Sequence, residues 1–154
     1  MTDTSIRPAV AADVPAVKAV TDAAFHHYIE RIGLVPAPME YDHAANVAAG
    51  RVFVTGEPVA GLVVVIREAD HLYLDEVAVH PDAQGTGLGR LLLTWVERYA
   101  RELGLPEVRL LTNALMRENQ KLYERYGYEV VERRAEGPYD RIHYRKRLNS
   151  PPMG

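Results

Sequence analysis

The sequence predicts an α/β fold, a mixed sheet of seven strands with helices on both faces. Three observations carry this. Residues 51–79 hold three runs rich in Val, Leu, Ile and Tyr, separated by turn residues; residues 88–103 carry an unbroken helical stripe; and a strand, a helix and two more strands follow to residue 148. The 154 residues, 47% apolar and 25% charged, suit one core, so a single domain is expected over 1–148. Residues 149–154, with two prolines and a glycine, are expected to form a flexible tail.

Residues 5–10 read as a short extended run, after which Asp13, followed by Val14 and Pro15, reads as a helix cap with proline in the first turn. Val14, Val17, Val20, Ala24, Phe25 and Tyr28 continue a helical stripe that fades at Gly33 and the Pro36-Ala37-Pro38 loop. Asp42 caps a short helix ending at Gly50. The period then changes to that of strands over 51–55, 59–67 and 71–79, expected to be antiparallel, with breaks at Gly56-Glu57-Pro58 and Glu68-Ala69-Asp70. Leu88, Leu91, Leu92, Trp95, Val96, Tyr99 and Leu103 make the strongest helix, closed by Gly104 and Pro106. A strand at 107–112 and a helix at 116–126, stopped by Gly127, come next. Two strands, 128–134 and 139–148, then flank a turn at Ala135-Glu136-Gly137-Pro138. In the last strand Ile142 and Tyr144 alternate with Arg141, His143 and Arg145, the pattern of a strand with one wet face.

Composition narrows the function. A net charge of −3 gives no broad cationic field, so nucleic acid is not an expected partner, and no run approaches the about 18 apolar residues that would cross a membrane. The first residues do not resemble a secretion signal, so a cytoplasmic protein is expected. The absence of cysteine excludes disulfides, cysteine–zinc sites and a covalent acyl-cysteine route. The six histidines show no ligand spacing, so no metal is expected; His80, before Pro81, reads as part of the shape of its loop.

The chemistry concentrates where a strand runs into the strongest helix, through His80-Pro81-Asp82-Ala83-Gln84-Gly85-Thr86-Gly87-Leu88-Gly89-Arg90. A helix start offers unpaired N–H groups and the positive end of the helix dipole, and glycines let a diphosphate come close. An anion site is therefore expected at Gly85, Thr86, Gly87, Leu88, Gly89 and Arg90. A nucleotide P-loop would need Lys and then Ser or Thr after its last glycine, and a dinucleotide fingerprint would need glycine at position 90; the chain has Gly89-Arg90-Leu91.

Gln84-x-x-Gly87-x-Gly89 resembles the pyrophosphate signature of the GNAT superfamily of N-acetyltransferases, and Leu122-Tyr123-Glu124-Arg125-Tyr126-Gly127-Tyr128 resembles its LYxxxGF element. Thr112, Asn113, Met116, Glu118 and Asn119 resemble the TNxxMxEN variant of one branch. The resemblance implies a mostly antiparallel sheet whose fourth and fifth strands splay around acetyl-CoA. The pantetheine would pair with the backbone of Val77, Ala78 and Val79, and the diphosphate would rest on Gln84 to Arg90. It also implies direct attack of an amine on the thioester, with Tyr123 as the acid that protonates the thiolate and Asn119 as a cofactor contact.

For the base, Glu76 is the candidate, with Asp75 beside it; alternation lets one of the two face the cleft. Tyr73, Leu111 and Met116 stand where some members carry a catalytic glutamate, another glutamate and an asparagine. The expected partners are thus acetyl-CoA and a primary amine of a small molecule, peptide or protein terminus. Acyl-CoA binding without transfer is the alternative. Residues 25–41 fall where the family places acceptor-binding helices, and could equally cover the core or pack on a second copy in a homodimer.

Overall fold

The structure, a computed structural model, describes residues 5–148; the tail expected over 149–154 lies outside them. Contacts divide the chain into two compact units. One comprises the residues up to Ile66 with Asp75–Val96, the other Arg67–Leu74 with the residues from Glu97 on.

The first unit begins with β1 (Ile6–Pro8), α1 (Val14–Phe25), α2 (Tyr28–Ile32) and α3 (His43–Ala48). It continues with β2 (Val52–Thr55), nearly all of β3 (Gly61–Arg67), the second part of β4 (Leu72–Val79) and the start of α4 (Leu88–Glu102). β1 and β2 pair antiparallel, as do β2 and β3, with Phe53 opposite Val63 and Val54 opposite Leu62. Every residue of β2 and the first five of β3 are buried, which is why these strands read as continuous apolar runs rather than alternating ones. Val17, Val20, Val54, Leu62, Val64, Leu92 and Val96 make the core of this unit. Gly61 gives the helix room: a Cβ there would lie 3.1 Å from side-chain methyls of Leu88 and Leu92, so a larger residue would make these two leucines shift where α4 packs on β3.

Two local expectations are corrected. The single first helix is broken at His26-His27, where α1 ends and α2 starts; neither residue is a helix breaker, so the apolar stripe read straight through. Asp13 does not cap α1 with its side chain. Its carboxylate instead accepts the Val10 N–H at 2.8 Å and both arms of Arg7 at 2.8 and 3.0 Å, which hold it well below the usual carboxylate range, at about 2. Asp42 does cap α3, accepting the Ala45 N–H at 2.9 Å.

The second unit holds the first residues of β4, β5 (Glu107–Asn113), α5 (Arg117–Arg125), β6 (Glu129–Glu136) and β7 (Tyr139–Arg147). β4 and β5 are parallel, Leu72 opposite Val108 and Tyr73 opposite Arg109, whereas β7 lies antiparallel to both β5 and β6. Leu72, Val108, Leu110, Tyr123, Tyr128, Ile142 and Tyr144 are buried, and β7 alternates as its sequence foretold. The last hairpin is tighter than expected, with β6 running on to Glu136. That carboxylate collects Arg134, Arg141 and His143 at 2.7, 3.0 and 2.6 Å and clasps the strand ends together. The full strand order is β1-β2-β3-β4-β5-β7-β6, a mostly antiparallel sheet of seven.

Candidate active site

β4 alternates strictly between buried and half-exposed residues, and this sorts its two acidic neighbours onto opposite faces. Glu76, 3% exposed, shares the buried face with Leu72, Leu74 and Ala78. There Thr21 of α1 donates its hydroxyl to Glu76 Oε2 at 2.5 Å, while Oε1 is buried without a partner. Burial pushes the Glu76 carboxyl up to about 8 against the pull of the Thr21 hydrogen bond, and the charges of Asp75 and Asp22 push the same way. Glu76 is therefore protonated at neutral pH. Asp75 is half-exposed with Tyr73, Val77 and Val79, and Tyr41 donates its hydroxyl to Asp75 Oδ1 at 3.0 Å.

Past Val79 the chain turns through His80, whose N–H donates to the Ala60 carbonyl at 2.8 Å and whose Nδ1 accepts the Asp82 N–H at 3.1 Å. This matches the loop-shaping part read for it from sequence. Thr86 donates to the Ala83 carbonyl at 2.5 Å and Gln84 to the Val79 carbonyl at 3.4 Å, so two side chains of the signature fold the loop rather than point away from it. Gly85 and Gly87 have φ of +81° and +87°, a region that favours glycine. Gln84, Gly85, Thr86, Gly87 and Arg90 are exposed, and Leu88 and Gly89 half-exposed. A Cβ on Gly85 or Gly87 would meet nothing within 4 Å, so the start of α4 faces open space inside its unit.

In the second unit Tyr123 is 5% exposed on α5, its ring 5.9 Å from that of Tyr128 and 6.0 Å from that of Tyr144. Asn119 is half-buried one turn earlier and directs its amide at the sulfur of Met116, 3.7 Å away, with the Thr112 hydroxyl 3.8 Å from the same atom. Met116 thus stands at the start of α5 as an acceptor for two polar side chains. The Tyr128 hydroxyl is buried without a partner, and burial raises it far above the ordinary phenol range.

Sequence reasoning missed Thr21, which sits beside Val20 on the core stripe of the first helix and carries no motif. It also missed His43, 4% exposed, with both ring nitrogens buried and unpartnered; burial lowers its pKa, with Lys18 nearby adding to the effect. Among the described residues no group of three or more His, Asp or Glu could hold a metal ion, and no helix is long and apolar enough to cross a membrane.

The fold is shared widely among solved structures. PaiA N-acetyltransferase from Thermoplasma acidophilum, in complex with coenzyme A, superposes with a TM-score of 0.79 at 15% identity over 94% of this chain and 98% of its own. Ard1 from Thermoplasma volcanium gives 0.77 at 16% over 95% and 98%, and the ribosomal-protein-S18-alanine N-acetyltransferase from Escherichia coli gives 0.76 at 21% over 99% and 97%. No curated protein matches the sequence significantly. The model of the acetyltransferase (GNAT) family, whose members draw on acetyl-CoA, matches residues 17–128, which run from α1 through the loop before α4 to the aromatic cluster of α5. With most of its length inside that match, the chain belongs to the acetyltransferase (GNAT) family and is an acyltransferase of the N-acetyltransferase type.

Proposed function

We propose that this acetyltransferase moves the acetyl group of acetyl-CoA directly onto a primary amine of a small molecule, a peptide or a protein terminus. The observation that carries the reading is the open start of α4. Gly85 and Gly87 are exposed in the loop that leads into α4, with open space where a Cβ would stand, so a diphosphate can approach the helix N-terminus and gain both hydrogen bonds and the favourable end of the dipole. In this reading Gln84, Gly85, Thr86, Gly87, Leu88, Gly89 and Arg90 bind the diphosphate. Backbone groups of Val77, Ala78 and Val79 hold the pantetheine and polarise the thioester carbonyl. Asn119 contacts the cofactor, and Tyr123 gives its proton to the departing thiolate.

Glu76 can take a proton only after losing its own, so a role for it as base would appear with an apparent pKa near 8. The chain has no cysteine, so it forms no acyl-cysteine. Incubation with acetyl-CoA and a panel of primary amines, following free thiol, tests the proposal alongside calorimetry with coenzyme A. Thiol release that depends on an amine supports transfer. Saturable binding with no turnover would replace it by acyl-CoA binding alone, and no heat with coenzyme A would remove the loop assignment.

A further inference from the structure

The first unit places a hydrogen-bonded pair, Tyr41 and Asp75, on the half-exposed face of β4, directly before the segment proposed to hold the thioester. We infer that Asp75, oriented by Tyr41, is the docking carboxylate for the acceptor's ammonium group and takes its first proton. This rests on the transfer reading above and goes beyond it by naming the charge state in which the acceptor arrives.

Three observations support the assignment. Asp75 and Val77 point to the same side of the strand, and two residues of strand separate them by about 7 Å. An ammonium about 2.8 Å from the carboxylate and about 3.3 Å from a carbonyl carbon fills that interval. Glu76 points the other way, into α1, and holds its own proton, so of the two adjacent carboxyls Asp75 is the one a cation can reach. Tyr41 follows a single turn of 3-10 helix, Ala37–Glu40, that packs on α1. Residues 25–41, which fall where the family places acceptor-binding helices, thus send one side chain to β4, where it fixes the carboxylate rotamer.

The step balances. The ammonium passes a proton to Asp75, and the freed nitrogen lone pair forms the C–N bond with the acetyl carbon. The adduct collapses with loss of the C–S bond. The second amine proton lost on forming the amide balances the one gained by the thiolate, and Asp75 returns its proton to water. The net products are the amide, the thiol and one proton.

The test uses the full chain with coenzyme A bound, n-propylammonium as probe and 1-propanol as its uncharged counterpart, with binding followed by NMR titration. The expected result is saturable binding of n-propylammonium in preference to 1-propanol, weakened at least tenfold in Asp75→Asn and severalfold in Tyr41→Phe. Coenzyme A affinity should stay unchanged in both variants, which separates a docking role from damage to the fold. Equal probe affinity in Asp75→Asn and the unaltered protein would overturn the inference. So would equal binding of the two probes, or no probe binding by a protein that binds coenzyme A. Failure to bind coenzyme A would count instead against the transfer reading.

Discussion

Replacing Glu76 by Gln should make the protein progressively more stable relative to its parent as pH rises. The folded state holds the Glu76 proton up to about pH 8, whereas the unfolded chain releases it near the ordinary value of 4.5. Between those limits the native state binds more protons than the unfolded one, so stability falls as pH increases, by about 1.4 kcal/mol per unit. The whole interval from 4.5 to about 8 integrates to about 5 kcal/mol, all of it present below pH 4.5 and gone above pH 8. Glutamine keeps an oxygen for the Thr21 hydroxyl and has no charge to bury. Urea unfolding of both proteins at pH 6, 7 and 8 isolates this group, since every other titrating side chain is common to the pair. From pH 6 to pH 8 the variant should gain about 2 kcal/mol on its parent, equivalent to about 4–8 °C in melting temperature for a chain of this size. Stability curves that stay parallel across that range would show that Glu76 is not the buried neutral acid described.

Tyr123→Phe should slow thiol release by about 10²-fold or more while coenzyme A affinity holds, because a general acid acts on the transition state; equal losses in rate and binding would reduce Tyr123 to packing beside Tyr128 and Tyr144. Gly87→Val places a branched side chain at φ +87° in the space proposed for the diphosphate. Loss of two charge-assisted hydrogen bonds there should weaken coenzyme A by about a hundredfold in calorimetry, and undiminished binding would show the anion site to lie elsewhere. His43→Leu removes two buried, unpartnered nitrogens, so it should leave stability unchanged or raised at pH 8. It should also flatten the acid limb: with the folded pKa of His43 lowered, the parent loses stability as pH falls below 6.5, and a thermal-melt series from pH 8 to 5 that shows no difference in slope would contradict the burial.

Much of the fold was legible because its signals are local. Gly104 and Gly127 end their helices with φ of +75° and +91°, Asp42 caps α3 through its side chain, and the alternation of β7 survives intact. What stayed hidden turned on which partner a side chain takes and on breaks that no residue announces. Asp13 has the look of a helix cap, but Arg7 and the Val10 amide claim its carboxylate first. The break at His26-His27 carries no Gly or Pro to announce it. At the candidate site, the glycine loop could be read from its residues alone, since it needs only a helix start and absent side chains. The sorting of Asp75 and Glu76 could not, because it depends on which face of β4 α1 covers, and Thr21, 55 positions away, supplies that answer.

That sorting also sets the two carboxyls against each other in one experiment. If Glu76 were the base, turnover would rise through an apparent pKa near 8, and Glu76→Gln would abolish it even as the fold became more stable at that pH. If Asp75 takes the proton, Glu76→Gln keeps its turnover and shows only the gain in stability, while Asp75→Asn loses turnover with little change in melting. A buried acid raised this far has two physical uses, as a base tuned to mildly alkaline pH or as a neutral hydrogen-bonding strut between β4 and α1. Its hydrogen bond from Thr21 on the face that α1 covers, and its 3% exposure, argue for the strut, because a base must come within reach of the acceptor's proton.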